Sequence, residues 1–183
     1  MMAAEETTET EAVPGVGMDP SRFARPVVTQ VAGLFASILI CFAAAGLGAA
    51  VTTPQIRGWY ATINKPSWNP PDWVFGPVWT VLYLMMAVAA WLVWCRSSFR
   101  MDRIPLAVFA VQLALNSLWS VLFFGMQQPG LAAAEILLLL AMILATVVVC
   151  WRRSPVAGSL LLPYLIWVSF ASVLNLSIWQ LNQ

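Results

Sequence analysis

The sequence predicts an all-α membrane protein, a five-transmembrane-helix bundle with a long loop that caps the bundle between helices 1 and 2. Of its 183 residues, 61% are hydrophobic and only 9% are charged, whereas soluble domains carry about 25% charged residues. The charges lie between long apolar runs, as segments buried in hydrocarbon require. The runs are continuous rather than alternating, so a transmembrane β-barrel is excluded. The length suits a single domain.

The chain divides into a polar N-terminal tail, residues 1–24, and a membrane domain, residues 25–183. Five of the eight acidic residues precede the first apolar run, and so polar a segment cannot bury enough apolar surface to fold. We therefore expect a disordered acidic tail. It is not a secretory signal, which would begin with positive charge. The net charge of +1 provides no basic surface for nucleic acid.

Five apolar runs predict the transmembrane helices, and each has close to the ~20 residues that a bilayer requires. The predicted spans are residues 27–51, 73–95, 104–124, 131–151 and 155–179. Gln, Gln, Pro and Gly at 127–130 predict a tight hairpin between the third and fourth helices. The prolines and tryptophans of the connection 52–72 favour a stiff cap over the mouth of the bundle. The alternative is a rigid interfacial loop without a ligand role.

The basic residues predict the orientation of the bundle. Those on the side of the N-terminus are Arg22, Arg25, Arg96, Arg100, Arg103, Arg152 and Arg153. Only Arg57 and Lys65 fall on the other side. Because cytoplasmic loops are enriched in Lys and Arg, we expect a cytoplasmic N-terminus and a capping loop that faces outward.

Three tryptophans, Trp79, Trp119 and Trp167, lie deep within the spans, where the interfacial aromatic belt does not explain them. Each belongs to a stripe of aromatic and polar residues at helical spacing. The stripes are Phe75, Trp79 and Tyr83 in the second helix, Gln112, Asn116 and Trp119 in the third, and Tyr164, Trp167, Ala171 and Asn175 in the fifth. Polar groups in a bilayer face protein. The stripes therefore form either helix–helix contacts or the wall of an apolar-ligand cavity, and their spacing does not separate the two.

Glu135 is the one acidic residue within a predicted span. It is either a helix-start carboxylate favoured by the helix dipole or a contact for a ligand or a proton. The three cysteines, Cys41, Cys95 and Cys150, lie in or beside apolar runs and are expected to remain unpaired. Because the sequence has no histidine and no cluster of cysteines or carboxylates, we expect no metal site.

A series of motifs, in order along the chain, carries a resemblance to a known family. The motifs around the loop are Trp59-Tyr60, Lys65-Pro66-Ser67-Trp68-Asn69-Pro70-Pro71, Trp73-Val74-Phe75, Pro77-Val78-Trp79-Thr80 and Leu82-Tyr83. Those of the third and fifth helices are Gln112-Leu113, Asn116, Trp119, Phe123-Phe124, Pro163-Tyr164-Leu165-Ile166-Trp167, Phe170-Ala171 and Leu174-Asn175. Over residues 27–182 the chain resembles the TspO/translocator protein family, the tryptophan-rich sensory proteins that include the peripheral benzodiazepine receptor.

The resemblance implies a five-helix bundle, often a homodimer, with a pocket beneath the first long loop. The expected ligand is a porphyrin such as protoporphyrin IX or haem, or another flat apolar small molecule. The implied function is tetrapyrrole transport, or sensing and stress regulation, and no cofactor is required. The ligand-binding residues expected from the motifs and the stripes are Tyr60, Trp79, Tyr83, Gln112, Asn116, Trp119, Glu135, Trp167, Ala171 and Asn175. The expected location is a bacterial cell membrane, with the mitochondrial outer membrane as the alternative.

Two other functions stay open. The resemblance also implies an enzyme that degrades protoporphyrin IX with light and oxygen, for which Trp79 and Trp167 are the candidate catalytic residues. The sequence offers no acid–base pair or nucleophile for ordinary hydrolytic catalysis. The third hypothesis is a structural or partner-regulating membrane protein. The animal cholesterol motif needs a Tyr followed by a basic residue in the fifth helix. No basic residue follows Arg153, which argues against sterol recognition there.

Overall fold

A computed structural model describes residues 25–96 and 103–183, so the predicted acidic tail lies outside the described residues. The helices in this range are α1 (Val27–Ile56), α2 (Trp59–Thr62), α3 (Asp72–Cys95), α4 (Arg103–Ser120), α5 (Pro129–Arg153) and α6 (Pro155–Leu181). A π-helical turn, Val121–Gly125, continues α4. Counted with that turn, five helices are long and apolar enough to cross a membrane. The predicted fold class is confirmed, and the chain is a multi-pass integral membrane protein.

The long helices pack in an order that leaves α1 the least buried of the five. α5 and α6 form the most extensive pair, and α3 and α4 each pack on one member of it, α3 on α6 and α4 on α5. α1 lies against α3 and α4. Large apolar side chains cover the outside of the bundle, as lipid contact requires; among them are Val28, Phe35, Leu39, Leu138 and Ile166.

Ser154 forms the whole connection between α5 and α6 and is buried. Its hydroxyl accepts a hydrogen bond from the Ala157 backbone N–H at 3.2 Å and so caps the first turn of α6. The guanidinium of Arg96, at the end of α3, donates to the same hydroxyl. The turn and the end of α3 are therefore fixed at one end of the bundle.

α1 packs closely on α3 near the same end. Gly33 lies against the ring of Trp94 and leaves no room for a Cβ atom. The indole N–H of Trp91 donates to the backbone oxygen of Gln30 at 2.8 Å, and the Arg25 guanidinium lies 3.9 Å from the centre of the Trp94 ring. A glycine against an indole permits this close approach of two helices.

The first span was predicted to end near residue 51, but α1 continues to Ile56 and includes Pro54. A proline in the last turn removes only one hydrogen bond of the helix, and the side chains of Thr52 and Ile56 still face the interior of the protein. The capping loop, residues 57–71, is therefore shorter than predicted. It also contains the four-residue helix α2, which the sequence reading treated as loop.

The predicted hairpin at 127–130 begins one residue earlier and ends two residues earlier in the structure. Pro129 is the first residue of α5, a position that suits proline because its missing N–H needs no partner there. The break consists of Met126, Gln127 and Gln128, and Gln127 has a positive φ of 55°. Before the break, the Met126 N–H bonds to the Val121 oxygen at 2.7 Å, the five-residue step of a π-helix.

Candidate functional site: an aromatic cavity beneath the capping loop

A cavity of about 540 Å³ lies between α1, α3, α4 and α6, beneath the capping loop. This volume is within the range of about 300–1,000 Å³ that ligand sites occupy. Its wall from α1 and α2 comprises Phe42, Ala45, Gly46, Gly48, Ala49, Thr52, Thr53, Ile56 and Tyr60. The wall from α3 comprises Asp72, Trp73, Phe75, Gly76, Trp79, Thr80 and Tyr83. The remainder, from α4, the π-turn and α6, comprises Asn116, Trp119, Ser120, Phe123, Phe124, Trp167, Ala171, Leu174, Asn175 and Ile178.

The three deep tryptophans all face this cavity. Trp119 stacks on Phe123, with ring centres 5.1 Å apart and planes inclined by 22°. Trp167 meets Phe75 edge to face at 5.9 Å, and Trp79 lies 5.7 Å from the ring of Tyr83. Each indole is thus held by another aromatic ring in a favourable geometry, and together they give the cavity an aromatic wall.

A buried hydrogen-bond network fixes the inner end of the cavity. The Tyr83 hydroxyl of α3 donates to Asn116 Oδ1 of α4 at 2.5 Å. The Asn116 amide donates in turn to the Tyr164 hydroxyl of α6 at 3.0 Å. One amide therefore joins three helices, and its hydrogen-bonding groups are engaged within the protein. Such bonds between membrane helices stabilise the bundle by about 0.6 kcal/mol on average.

Asn175 likewise joins three helices, at the end of the cavity nearer the capping loop. Its Oδ1 accepts a hydrogen bond from the Trp119 indole N–H at 2.9 Å, and its amide donates to the Pro129 backbone oxygen at 2.8 Å. The second bond ties α6 to the first turn of α5. The first bond fixes the plane of the Trp119 ring, because an indole has a single N–H to direct.

The structure brings most of the predicted site residues together. Those on the cavity wall are Tyr60, Trp79, Tyr83, Asn116, Trp119, Trp167, Ala171 and Asn175. Gln112 and Glu135 do not line it. Gln112 lies one turn below Asn116, is 1% exposed, and directs its amide at the sulfur of Met86. Glu135 belongs to α5, which supplies no part of the wall, and neither of its buried oxygens has a hydrogen-bond partner among the described residues.

Sequence reasoning missed the contribution of α1 to the wall. That helix supplies small residues such as Gly46, Gly48 and Ala49. Small apolar residues in a long apolar helix carry no periodic signal that separates a cavity wall from a lipid-facing or packed surface. Small residues also permit close helix contact, as at Gly48, where a Cβ would meet Ser120 Oγ at 3.2 Å.

The capping loop is held over the cavity by polar contacts. The Tyr60 hydroxyl donates to Asn69 Oδ1 at 2.9 Å. The Lys65 ammonium donates to the backbone oxygens of Tyr60 and Ile63 and lies 4.7 Å from the centre of the Tyr60 ring. Burial, followed by the nearby Asp72 carboxylate, raises the pKa of Tyr60 to about 12, so its hydroxyl keeps its proton at neutral pH.

The loop is also tied to the end of the chain. Asn64 and Asn182 exchange two hydrogen bonds of 2.9 Å, each from one residue's N–H donor to the other's oxygen. The Asn64 amide adds a longer bond of 3.3 Å to the Leu181 oxygen. The capping loop therefore bridges from the start of α3 to the last turn of α6.

One side of the cavity is open, between α1 and α3. The lining residues at this opening, which are exposed, are Phe42, Gly46, Ala49, Thr53, Asp72, Trp73, Gly76 and Thr80. A Cβ built on Gly46 or on Gly76 would meet no atom within 4 Å. Because α1 and α3 both cross the membrane, this α1–α3 opening faces the bilayer, with Asp72 at its end next to the capping loop.

The described residues offer little other chemistry. Among them, no three His, Cys, Asp or Glu side chains come together in a group that could hold a metal ion. All three cysteines lie within the described ranges and are free thiols, with Cys41 and Cys150 buried. The cavity therefore provides aromatic surface and a small number of polar groups.

Comparison with known proteins identifies the family that this chain resembles. The model of the TspO/MBR family matches residues 37–180. Tryptophan-rich protein TspO of Chlorobaculum tepidum is 44% identical over 158 residues, covering 84% of this chain and 98% of that protein. The Translocator protein of Homo sapiens is 41% identical over 145 residues, covering 76% and 86%. A Tryptophan-rich sensory protein of Cereibacter sphaeroides is 39% identical over 141 residues, covering 75% and 87%. The range matched by the family model contains every residue that lines the cavity.

Proposed function

Since the chain belongs to the TspO/MBR family, we propose that its cavity binds a porphyrin or another tetrapyrrole. The protein would then serve in tetrapyrrole transport, or in sensing and stress regulation. The observation that carries this proposal is the meeting of Trp79, Trp119 and Trp167 at one cavity. Indole rings around an open space match a flat, apolar, aromatic ligand, which can stack on them or meet their edges.

The size of the aromatic wall supports binding of a large ring. An aromatic side chain exposes about 150–250 Å², and burial of apolar area contributes about 25 cal/mol per Å². Even partial burial of three indoles would offset much of the entropy that a ligand loses on binding. Ala171 matters here because it lies on the same face of α6 as Trp167, and its small side chain keeps that part of the cavity free.

Binding to purified protein tests the proposal. Protoporphyrin IX is titrated in darkness into the protein in detergent, and the porphyrin absorption band is followed together with tryptophan fluorescence. We expect a saturable shift of the band, and a weaker affinity when Trp79→Phe and Trp167→Phe are combined. The absorption band serves as the readout for that variant, because the substitutions themselves remove two fluorophores. Absence of a saturable shift, or equal affinity in the double variant, would overturn the proposed site.

Light- and oxygen-dependent degradation of protoporphyrin IX is a second candidate. It is favoured by the position of Trp79 and Trp167, whose indoles both border the space that the ring would occupy. The same titration, repeated under illumination with and without dioxygen, separates the two functions. A new pigment that forms only with light, dioxygen and intact Trp79 and Trp167 supports the enzyme. An unchanged spectrum supports binding alone.

We also propose that the capping loop faces away from the cytoplasm. Arg25, Arg96, Arg152 and Arg153 lie at the helix ends opposite the capping loop, and Arg57 and Lys65 lie at its own end. This asymmetry agrees with the enrichment of basic residues in cytoplasmic loops. The proposed membrane is a bacterial cell membrane, with the mitochondrial outer membrane as the alternative. Labelling of a Thr62→Cys variant with an impermeant thiol reagent in intact cells tests the orientation. A homodimer stays a prediction, to be tested by light scattering of the protein in detergent.

A further inference from the structure

The charges around the cavity are unequal. Asp72 is the one acidic residue among the cavity-lining residues, which include no lysine or arginine. Lys65 of the capping loop does not line the cavity, and its ammonium bonds to the backbone oxygens of Tyr60 and Ile63. A ligand that enters this cavity therefore meets a negative charge and no positively charged lining residue.

Asp72 lies at the end of the α1–α3 opening next to the capping loop. It is the first residue of α3 and is exposed at the α1–α3 opening, next to Trp73, whose indole is 75% exposed. Its negative charge also reaches the cavity roof, since it contributes to the raised pKa of the Tyr60 hydroxyl. The carboxylate thus acts both at the opening and beneath the capping loop.

The polar groups further inside do not compensate for this charge. The amide of Asn116 donates to Tyr164, and that of Asn175 donates to the Pro129 oxygen. The Thr80 hydroxyl donates to the backbone oxygen of Gly76 within its own helix. Each of these groups already donates a hydrogen bond within the protein and none carries a positive charge, so a ligand carboxylate would find no oppositely charged partner on the wall. A buried charge without such a partner is costly.

We propose that Asp72 is a specificity-determining residue, which disfavours ligands with a carboxylate at the α1–α3 opening and favours flat rings whose edge there is neutral or cationic. The inference rests on the proposed function and narrows its ligand class. Esterified or decarboxylated tetrapyrroles fit this class better than free dicarboxylates. Because Asp72 is exposed and screened by solvent, we expect a selectivity of about threefold to tenfold rather than complete exclusion.

A pair of probes that share one ring system tests this inference. Protoporphyrin IX carries two carboxylates, and its dimethyl ester carries none. The ratio of their dissociation constants, acid over ester, is measured by the porphyrin absorption band for the intact chain and for Asp72→Asn. We expect the substitution to lower this ratio about threefold to tenfold at low ionic strength. The difference should shrink in about 0.5 M salt, where the Debye length falls below 5 Å.

Asp72→Glu is the matched control, because it keeps the charge and the acidic first turn of α3. Its acid-to-ester ratio should stay with that of the intact chain. A loss of helix stability alone would change both dissociation constants together and leave the ratio unmoved, so an unchanged ratio in Asp72→Asn overturns the inference. If neither probe binds the intact chain, the proposed function itself is wrong.

Discussion

The tryptophans at the helix ends and the tryptophans in the middle of the bundle have different neighbours. The first group, which we call the glycine-packed tryptophans, comprises Trp94 against Gly33, Trp151 against Gly158 and Trp179 against Gly130. The second group, the cavity tryptophans, comprises Trp79, Trp119 and Trp167, whose ring neighbours are tyrosine and phenylalanine. Glycine leaves room for an indole close to a neighbouring helix, whereas the ring pairs Phe75–Trp167 and Trp79–Tyr164 lie between α3 and α6 and keep these two helices apart.

Tryptophan therefore has two roles in this bundle: it packs closely on glycine near the helix ends and lines an open space in the middle. Where an indole meets glycine, no room remains even for a methyl group. Where indoles meet other rings, a cavity of about 540 Å³ remains. The tryptophan–glycine contacts at the helix ends and the ring contacts around the cavity can therefore be tested separately.

The largest effect is expected at Gly158. A Cβ there would lie 2.9 Å from the backbone Cα of Trp151, and a backbone atom cannot move aside cheaply. Gly158→Ala should therefore reduce stability by about 1–3 kcal/mol, measured as a lower thermal midpoint in detergent. Gly46→Ala is the control, since that position is open and alanine in a helix adds up to about 1 kcal/mol. Equal effects at both positions would contradict the comparison.

Filling the cavity should affect ligand binding more than stability. Ala171→Trp adds an indole inside the wall, and we expect the affinity for protoporphyrin IX to fall at least about tenfold, which corresponds to about 1.4 kcal/mol. Val173→Trp adds the same side chain on the lipid-facing side of α6, where residue 173 is exposed. Its affinity should match that of the intact chain. A similar loss from both substitutions would show that the extra bulk disturbs α6 rather than the cavity.

The network behind the cavity tryptophans should contribute less. Asn116→Leu removes the shared partner of the Tyr83 and Tyr164 hydroxyls, and we expect a loss of about 1 kcal/mol in stability. Ser117→Ala is matched to it, because the Ser117 hydroxyl bonds only within α4, to the Leu113 oxygen. Thermal unfolding should distinguish the two variants. A Ser117→Ala effect as large as that of Asn116→Leu would argue against the joining of three helices by Asn116.

The smallest effect is expected at the junction of the capping loop with the chain end. Asn182→Ala removes the reciprocal bonds to Asn64, which are exposed and therefore contribute only about 0.5 kcal/mol. Hydrogen exchange should nevertheless become faster in residues 57–71. Ser177→Ala, whose hydroxyl bonds within α6 to the Val173 oxygen, should leave that exchange rate alone. Unchanged exchange in Asn182→Ala would mean that other contacts hold the loop.

The sequence was sufficient for the five spans and for the face on which the aromatic stripes lie, because apolar length and helical spacing are local properties. The sequence was not sufficient to show that Gln112 and Glu135 lie outside the cavity wall. A polar residue within a bilayer must face protein, but its position does not say whether the neighbour is a cavity or a packed helix. Gln112 lies on the same stripe as Asn116 and still misses the cavity by one turn.

Other features depend on contacts between distant parts of the chain. Asn64 and Asn182 are 118 residues apart, and neither belongs to a periodic pattern. The sequence did not predict that α1 lines the cavity, because Gly46 and Ala49 resemble any small residues in an apolar helix. The positions of the glycine-packed tryptophans at helix ends suit the interfacial aromatic belt. Their glycine partners lie on other helices, and these contacts are apparent only in the structure.

The room in the cavity depends on the number of residues in the π-helical turn Val121–Gly125. Such a turn accommodates one surplus residue within a helix, and here it brings the adjacent rings of Phe123 and Phe124 within 4.8 Å of each other on the same wall. Removing one residue from this turn would let α4 continue as a regular helix up to the break that follows Gly125. If the residue removed is Phe123 or Phe124, the wall has one ring fewer, so the room inside this protein depends on the length of this turn as well as on its side chains.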